Sequence, residues 1–340
     1  MSSVASIVLA AGKGTRMKSN RPKVVFPLAE KPLIQRVVET AVKANCDLIN
    51  VVVGYQKETV IGSIQTDCEL LFSEQVEQNG TGHAVIVARD AMPDFKGEIF
   101  ILCGDVPLLR HETLTAMLKD HRENKAACTV LTAFMDDPAM YGRIVRNANG
   151  NVDRIVEFKD ASDDQRKIKE INTGIYCFNS EDLYSALDKI DNKNVQGEYY
   201  LTDTLEILNG ENKIVGSSVL SNFVEAAGVN SQEQLAELET AYYDNIRKGF
   251  LNSGVIIENP MSVIIGDEVE IEKDVIIQAN SIIKGKSKIE SGAKIGPNCY
   301  IKDAIIEENA ILEGYNIVKD ATINEHEIMP FRSTTIEEYV

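Results

Sequence analysis

The chain has 340 residues, 44% apolar and 26% charged, with a formal net charge of −17. It is long enough for two cores, globular in composition, and repulsive to a nucleic-acid backbone, so no nucleic-acid partner is expected. Six scattered cysteines without a CxxC pair argue for reduced thiols; no apolar run reaches the ~18 residues of a membrane span, and a cytoplasmic protein with no membrane partner is expected.

In chain order, "SIVLAAG" predicts a buried strand, and "PLIQRVVETAVKAN" a helix opened by proline. "LINVVVGY", "EIFILCGDVPLL" and "AACTVLTAF" predict further strands, with "TGHAVIVARDAM" and "ETLTAMLKDHREN" as helices between them. This alternation predicts an α/β domain: a Rossmann-like, mostly parallel sheet with helices on both faces. Ligands of such sheets lie beyond the carboxyl ends of strands, where Gly12 and Asp105 fall.

From about residue 231, "SQEQLAELETAYYDNIRKGFL" predicts a long amphipathic helix, and after Pro260 the period becomes six. The anchors are Ile265, Ile271, Ile277, Ile283, Ile289, Ile295 and Ile301, then, after one five-residue step, Ile306, Leu312 and Val318. Four residues after each anchor the side chain is mostly small: Ser281, Ser287, Ala293, Cys299, Ala310, Asn316 and Thr322, with Val269 and Val275 early and Ile305 at the short step. A solenoid of parallel strands, with apolar anchors inside and small residues at its corners, accounts for this pattern. The regions expected are an α/β domain over 1–230, a connecting helix over 231–252 and a short solenoid over 253–340.

The stretch "LAAGKGTRMKSNRPK" after the first strand fits neither common phosphate motif. Gly12 and Gly14 are followed by Met17 where a dinucleotide loop needs a third small residue, and Met17-Lys18-Ser19 stands where a P-loop needs Gly-Lys-Ser/Thr. Its chemistry nevertheless suits an anion. Glycines free backbone N–H groups, Lys13, Arg16, Lys18, Arg21 and Lys23 add positive charge, and no carboxylate precedes Glu30. A polyphosphate is the ligand expected.

"LAAGKGTRM" and "RPK", taken with "EQNGTGHA", "CGDVPL", "YGRIV", "IVEFKDA", "EINTGIY", "GEYYLTD" and "GVNSQEQLAELE", resemble the sugar-phosphate nucleotidyltransferases. The likeness is closest to the N-acetylglucosamine-1-phosphate uridylyltransferase part of the bifunctional bacterial enzymes, whose other part is a glucosamine-1-phosphate acetyltransferase. It implies a nucleotidyltransferase domain followed by a left-handed parallel β-helix of hexapeptide repeats, and conversion of UTP and N-acetylglucosamine 1-phosphate to the UDP-sugar and pyrophosphate. By the same resemblance Leu9, Ala10, Ala11, Gly12 and Gly14 cradle the triphosphate, Arg16 steadies the departing pyrophosphate, and Lys23 sits by the reacting phosphates. Asp105 at the end of "LCGDVPL", together with Asn230, is implied to hold Mg2+. Gln75, Gly80 and Thr81 would contact uracil and ribose, and Gly142, Glu157, Asn172, Tyr199 and Thr202 the sugar. Gly104 and Cys103 adjoin Asp105; many relatives carry tyrosine where this chain has Cys103, and a backbone contact is expected there. The resemblance also implies a homotrimer. Relatives continue through further hexads that carry the groups for acetyl transfer; none is recognisable here, so acetyltransferase activity is expected to be absent.

Overall fold

The chain divides into two compact units, Met1–Leu235 and Ala236–Val340, and the computed structural model describes residues 2–336. In the first unit the N-terminal apolar run forms β1 (Ser3–Leu9), with Ala5, Ile7 and Val8 fully buried. Both of its faces are covered, so its side chains need not alternate in polarity. Parallel to it lies β2 (Leu48–Val53), followed outward by β3 (Leu70–Glu74); on its other side is β4 (Gly97–Cys103). The next strand in sequence, β5 (Cys128–Phe134), is not paired with β4. A hairpin of β6 (Arg143–Arg146) and β7 (Val152–Val156) leads into β8 (Glu170–Asn179), which enters antiparallel between β4 and β5. With β9 (Val215–Val219) parallel to β5, the order is β9-β5-β8-β4-β1-β2-β3.

Strands β1, β2, β4 and β5 coincide with the predicted ones, whereas β3 and β9 are not among those predicted. Strand β8 also escapes the predicted alternation: "EINTGIY" places Asn172, Thr173 and Gly174 inside the strand, where the register shifts between Asn172 and Tyr176, and such a bulge erases the period of two.

Helices α1 (Leu33–Lys43), α2 (Thr81–Asp90), α3 (His111–Glu123), α4 (Ser180–Leu187) and α5 (Asp203–Gly210) cover the sheet. Ile34, Val37 and Val38 of α1 share one apolar cluster with Leu114 and Met117 of α3 and with Val8 and Phe100. Val85 of α2, Leu183 of α4 and Leu205 of α5 share the other with Ile7 and Phe178. Each such buried aliphatic side chain contributes about 1.5–3 kcal/mol, which makes the sheet a rigid platform. Leu9 pairs with both Val52 and Cys103, and Val53 with Glu74. The segments leaving β1, β3 and β4 therefore emerge side by side at one carboxyl edge.

The helix α6 (Gln232–Asn252) begins in the first unit and continues into the second. There the hexads form strands of two or three residues in three parallel sheets. Every third anchor stacks on the next coil: Ile265 on Ile283, Ile301 and Val318; Ile271 on Ile289, Ile306 and Ile323; Ile277 on Ile295, Leu312 and Met329. This is the three-sided parallel β-helix of the hexapeptide, left-handed type.

One detail of the predicted pattern is corrected. The corners at the short steps are Ala304 and Ala321, 2% and 5% exposed, while Ile305 and Thr322 point outward. A second five-residue step, from Val318 to Ile323, moves the corner by one position, and counting four forward from an anchor misses it. Corners are fixed from the next anchor backward because the inward residue and its small neighbour belong to the same turn.

Candidate active site

The loop after β1 leaves the sheet at Ala10, whose N–H donates to Val52 O at 2.9 Å, and turns at Gly14. Gly14 has φ +66°, and a Cβ there would lie 2.5 Å from Lys23 Cβ; only glycine lets the loop fold back onto the lysine. The return brings Lys23 to Asp105. The two form an ion pair through Asp105 Oδ2, and Lys23 Nζ also donates to Asn230 Oδ1 at 2.9 Å. Arg16 Nη2 donates to the same Asn230 Oδ1 at 2.8 Å. Lys23 and Asp105 keep only 17% and 16% of their side-chain exposure, so their charges act in partly excluded water.

Local structure explains how such distant residues meet. Gly104 N donates to Leu9 O at 2.9 Å, which locks the end of β4 beside the end of β1. Val229 N donates to Asp105 O at 3.0 Å. Asn230 N donates to Gln234 Oε1 at 2.9 Å while Ser231 Oγ accepts from Gln234 N at 3.2 Å, so the first turn of α6 fixes the approach of Asn230.

A cavity lined by Lys23 and Asp105 opens here, and a second adjoins it; the two share Leu9, Thr81 and Cys103. One, of about 360 Å³, is lined by Leu9, Ala10, Ala11, Gly12, Lys23, Gln75, Gly80, Thr81 and Asp105. Here Gly80, at φ +104°, starts α2, and a Cβ on it would strike the Tyr199 carbonyl. Buried Gln75 donates through Nε2 to Gly80 O at 3.0 Å. Gln78 Nε2 donates to Ala11 O at 2.7 Å and pins the phosphate-loop candidate from across the cavity.

The second cavity, of about 240 Å³, is lined by Met140, Tyr141, Gly142, Glu157, Asn172, Tyr176 and Thr202. Asn172 N donates to Gly142 O at 2.9 Å, Asn172 Oδ1 accepts from Gly174 N at 3.0 Å, and Thr202 Oγ1 donates to Glu157 Oε1 at 3.4 Å. Burial, with smaller contributions from Asp160, Asp203 and Glu198, raises the Glu157 carboxyl above the ordinary glutamate range, against the Thr202 hydrogen bond. Cys103 lies where the cavities join, its Sγ 3.4 Å from Gly174 O, and burial pushes its thiol up to about 12. Burial therefore disfavours the thiolate that a nucleophilic role would need.

A larger hollow of about 450 Å³ adjoins Glu157 and Thr202; Asp160, Asp191, Asp203 and Glu206 line it against Arg154, Lys189 and Lys193, so its carboxylates outnumber its cations. The paired cavities are the better site for an anionic ligand.

The predicted residues are thus gathered around one cleft, with one distinction. Tyr199 contributes backbone: its N–H donates to Asn79 O and its carbonyl accepts from Gly82 N, both at 2.8 Å, while its ring packs on the core. Sequence reasoning passed over Gln78, Tyr141, Glu198 and Arg143. All four lie inside the quoted motifs, but their positions carry no signal until the loops close. Arg143, 2% exposed, donates to the carbonyls of Pro138, Ala139, Tyr141 and Arg166 and so shapes the wall that bears Tyr141 and Gly142.

The donor set fits a hard divalent cation. Asp105 Oδ2 and Asn230 Oδ1 already converge on one positive atom, Lys23 Nζ. Among the described residues no three His, Cys, Asp or Glu side chains form a closed metal cage, so an ion here would share its remaining positions between waters and phosphate oxygens.

A carboxyl-edge cleft with a cationic glycine loop, a carboxylate and a second polar cavity defines a sugar-phosphate nucleotidyltransferase. The chain belongs to the nucleotidyl transferase family, whose model matches residues 5–222. It is 42% identical over 327 residues to the Bifunctional protein GlmU of Geobacillus sp. (strain WCH70), spanning 96% of this chain and 71% of that protein. The Bifunctional protein GlmU of Carboxydothermus hydrogenoformans (strain ATCC BAA-161 / DSM 6008 / Z-2901) is also 42% identical, over 96% of this chain and 72% of its own. Among solved structures, a UDP-glucose pyrophosphorylase complexed with UDP-glucose shares the fold at 21% identity, with a TM-score of 0.59 over 72% of this chain and 100% of the other. No helix among the described residues is long and apolar enough to cross a membrane.

Proposed function

We propose that this chain is a cytoplasmic uridylyltransferase that forms UDP-N-acetylglucosamine and pyrophosphate from UTP and N-acetylglucosamine 1-phosphate. The observation that carries the reading is the convergence of Arg16, Lys23, Asp105 and Asn230 on one another, with Lys23 and Asp105 lining the first cavity. UTP lies in the first cavity, its triphosphate along residues 9–14 and its uracil against Gln75, Gly80 and Thr81. The sugar phosphate lies in the second, its hydroxyls on Glu157 and Asn172 and its acetamido group by Gly142.

The sugar phosphate has a second pKa near 6, so around pH 7 it is mostly the dianion and needs no protein base. One of its oxygens attacks the α-phosphorus of UTP, and the bond from that phosphorus to the bridging oxygen breaks. The electron pair leaves with pyrophosphate. Lys23 and Arg16 hold the crowded phosphates and neutralise charge as it shifts to the leaving group. Mg2+, held by Asp105 and Asn230, would supply charge neutralisation between the phosphates. Assembly as a homotrimer belongs to the same reading. For these 340 residues alone, acetyl transfer is not proposed.

Pyrophosphate release across a panel of nucleotides and sugar 1-phosphates tests the assignment. UTP with N-acetylglucosamine 1-phosphate is expected to give the highest kcat/KM; equal or faster turnover of glucose 1-phosphate removes the N-acetyl assignment.

A further inference from the structure

Gln75 is only 4% exposed and its amide is committed in one direction. Nε2 donates to Gly80 O, a backbone carbonyl that can only accept, and this fixes which end of the amide is which. The other Nε2 hydrogen faces His83 Nδ1 at 3.1 Å, on the first turn of α2. For that contact to be a hydrogen bond, Nδ1 must be the bare nitrogen of a neutral imidazole with its proton on Nε2. With both N–H groups engaged, Gln75 has only Oε1 left for the cavity it lines, and no donor among the described residues occupies that oxygen.

From this we propose that His83 is a positioning residue for base selection. By taking the second Gln75 N–H, it acts with Gly80 O to hold the amide with its acceptor toward the base. An acceptor suits a pyrimidine whose N3 carries hydrogen, as in uracil. Cytosine presents a bare N3 lone pair at the same edge and would be opposed by Gln75 Oε1, leaving two acceptors facing each other without a proton. Without His83 the amide is held by Gly80 O alone, so turning it over to offer an N–H to that lone pair forfeits one hydrogen bond instead of two, and the discrimination relaxes. His83 acts through Gln75 and need not touch the nucleotide.

This inference rests on the uridylyl reading and deepens it. The test is steady-state pyrophosphate release by the full chain with N-acetylglucosamine 1-phosphate and Mg2+, comparing kcat/KM for UTP with that for CTP. His83→Ala and His83→Phe, the latter keeping ring volume without an acceptor, are each expected to lower the UTP/CTP ratio about tenfold or more while KM for the sugar phosphate stays within about twofold. His83→Asn, which can offer a carbonyl oxygen near the place of Nδ1, is expected to restore most of the ratio. An unchanged ratio in both the Ala and Phe variants overturns the role of His83 and leaves the uridylyl reading standing. Failure of the unaltered protein to prefer UTP overturns that reading itself, so the two failures are distinguishable.

Discussion

Lys23 Nζ and Asn230 Oδ1 lie 2.9 Å apart although 207 residues separate them in sequence. Their contact closes the cleft: Lys23 arrives from the loop after β1, Asn230 from the turn into α6, and Asp105 at the end of β4 receives both through the ion pair with Lys23 and the Val229 N–H.

Asp105→Asn removes the one carboxylate in that group. It is expected to lower kcat by roughly 10²–10³-fold and to shift the magnesium dependence of turnover to much higher concentrations. A magnesium titration that matches the unaltered protein would take Asp105 out of the site.

Arg16 reaches Asn230 from an exposed position, so its loss should spare the fold. Arg16→Ala is expected to slow turnover by an amount equivalent to about 2–4 kcal/mol, with KM for UTP changed little. Single-turnover pyrophosphate release distinguishes this from a binding defect, which would leave the saturated rate intact.

At Gly14 the backbone conformation and the neighbouring Lys23 both exclude a side chain. Gly14→Ala introduces strain of about 1–2 kcal/mol and displaces Lys23 from Asp105. Activity is expected to fall more than thermal stability does; a normal kcat in this variant would show that the loop turn has no bearing on the lysine.

Glu157 combines stability and binding with opposite signs. Its carboxyl titrates above the ordinary range because burial disfavours the anion, so the folded state binds its proton more tightly than the unfolded chain does. The resulting cost is fully present above the raised folded value and fades as pH falls through it toward the ordinary value near 4.3. Glu157→Gln is therefore expected to be more stable than the parent at pH 7–8, with the advantage vanishing by about pH 4. KM for the sugar phosphate should rise about tenfold through loss of a charged acceptor. Denaturant melts at several pH values, read beside sugar KM, check both arms.

In the β-helix, Ile289 is fully buried and Ile305 is 42% exposed. Ile289→Ala is expected to destabilise by about 2–5 kcal/mol, whereas Ile305→Ala should change stability by no more than about 0.5 kcal/mol. Equal losses in urea melts would contradict the inward and outward assignment at the short step.

Much of this molecule could be read in one dimension because its signals are local. Continuous apolar runs mark strands buried on both faces, a proline and helical spacing mark α1, and Ile277, Ile283 and Ile289 repeat at the period of one solenoid side. A glycine loop free of carboxylates suggests an anionic ligand from sequence alone, since charge and backbone freedom belong to composition. Strand β8 and the second short step were not legible, because a bulge and a five-residue turn disturb the periods that reveal strands.

The amino-acid sequence alone determined which elements form and which residue types were available for phosphate chemistry, since hydrophobic period, turn chemistry and charge are properties of neighbours along the chain. Only the tertiary structure decided that Arg16 and Lys23 share one oxygen of Asn230, that the Tyr199 backbone bonds to Asn79 and Gly82, and that His83 Nδ1 faces the amide nitrogen of Gln75. Those relations depend on where the β1, β3 and β4 edges and the start of α6 meet, and hydrogen-bond geometry at about 3 Å has no trace in sequence spacing.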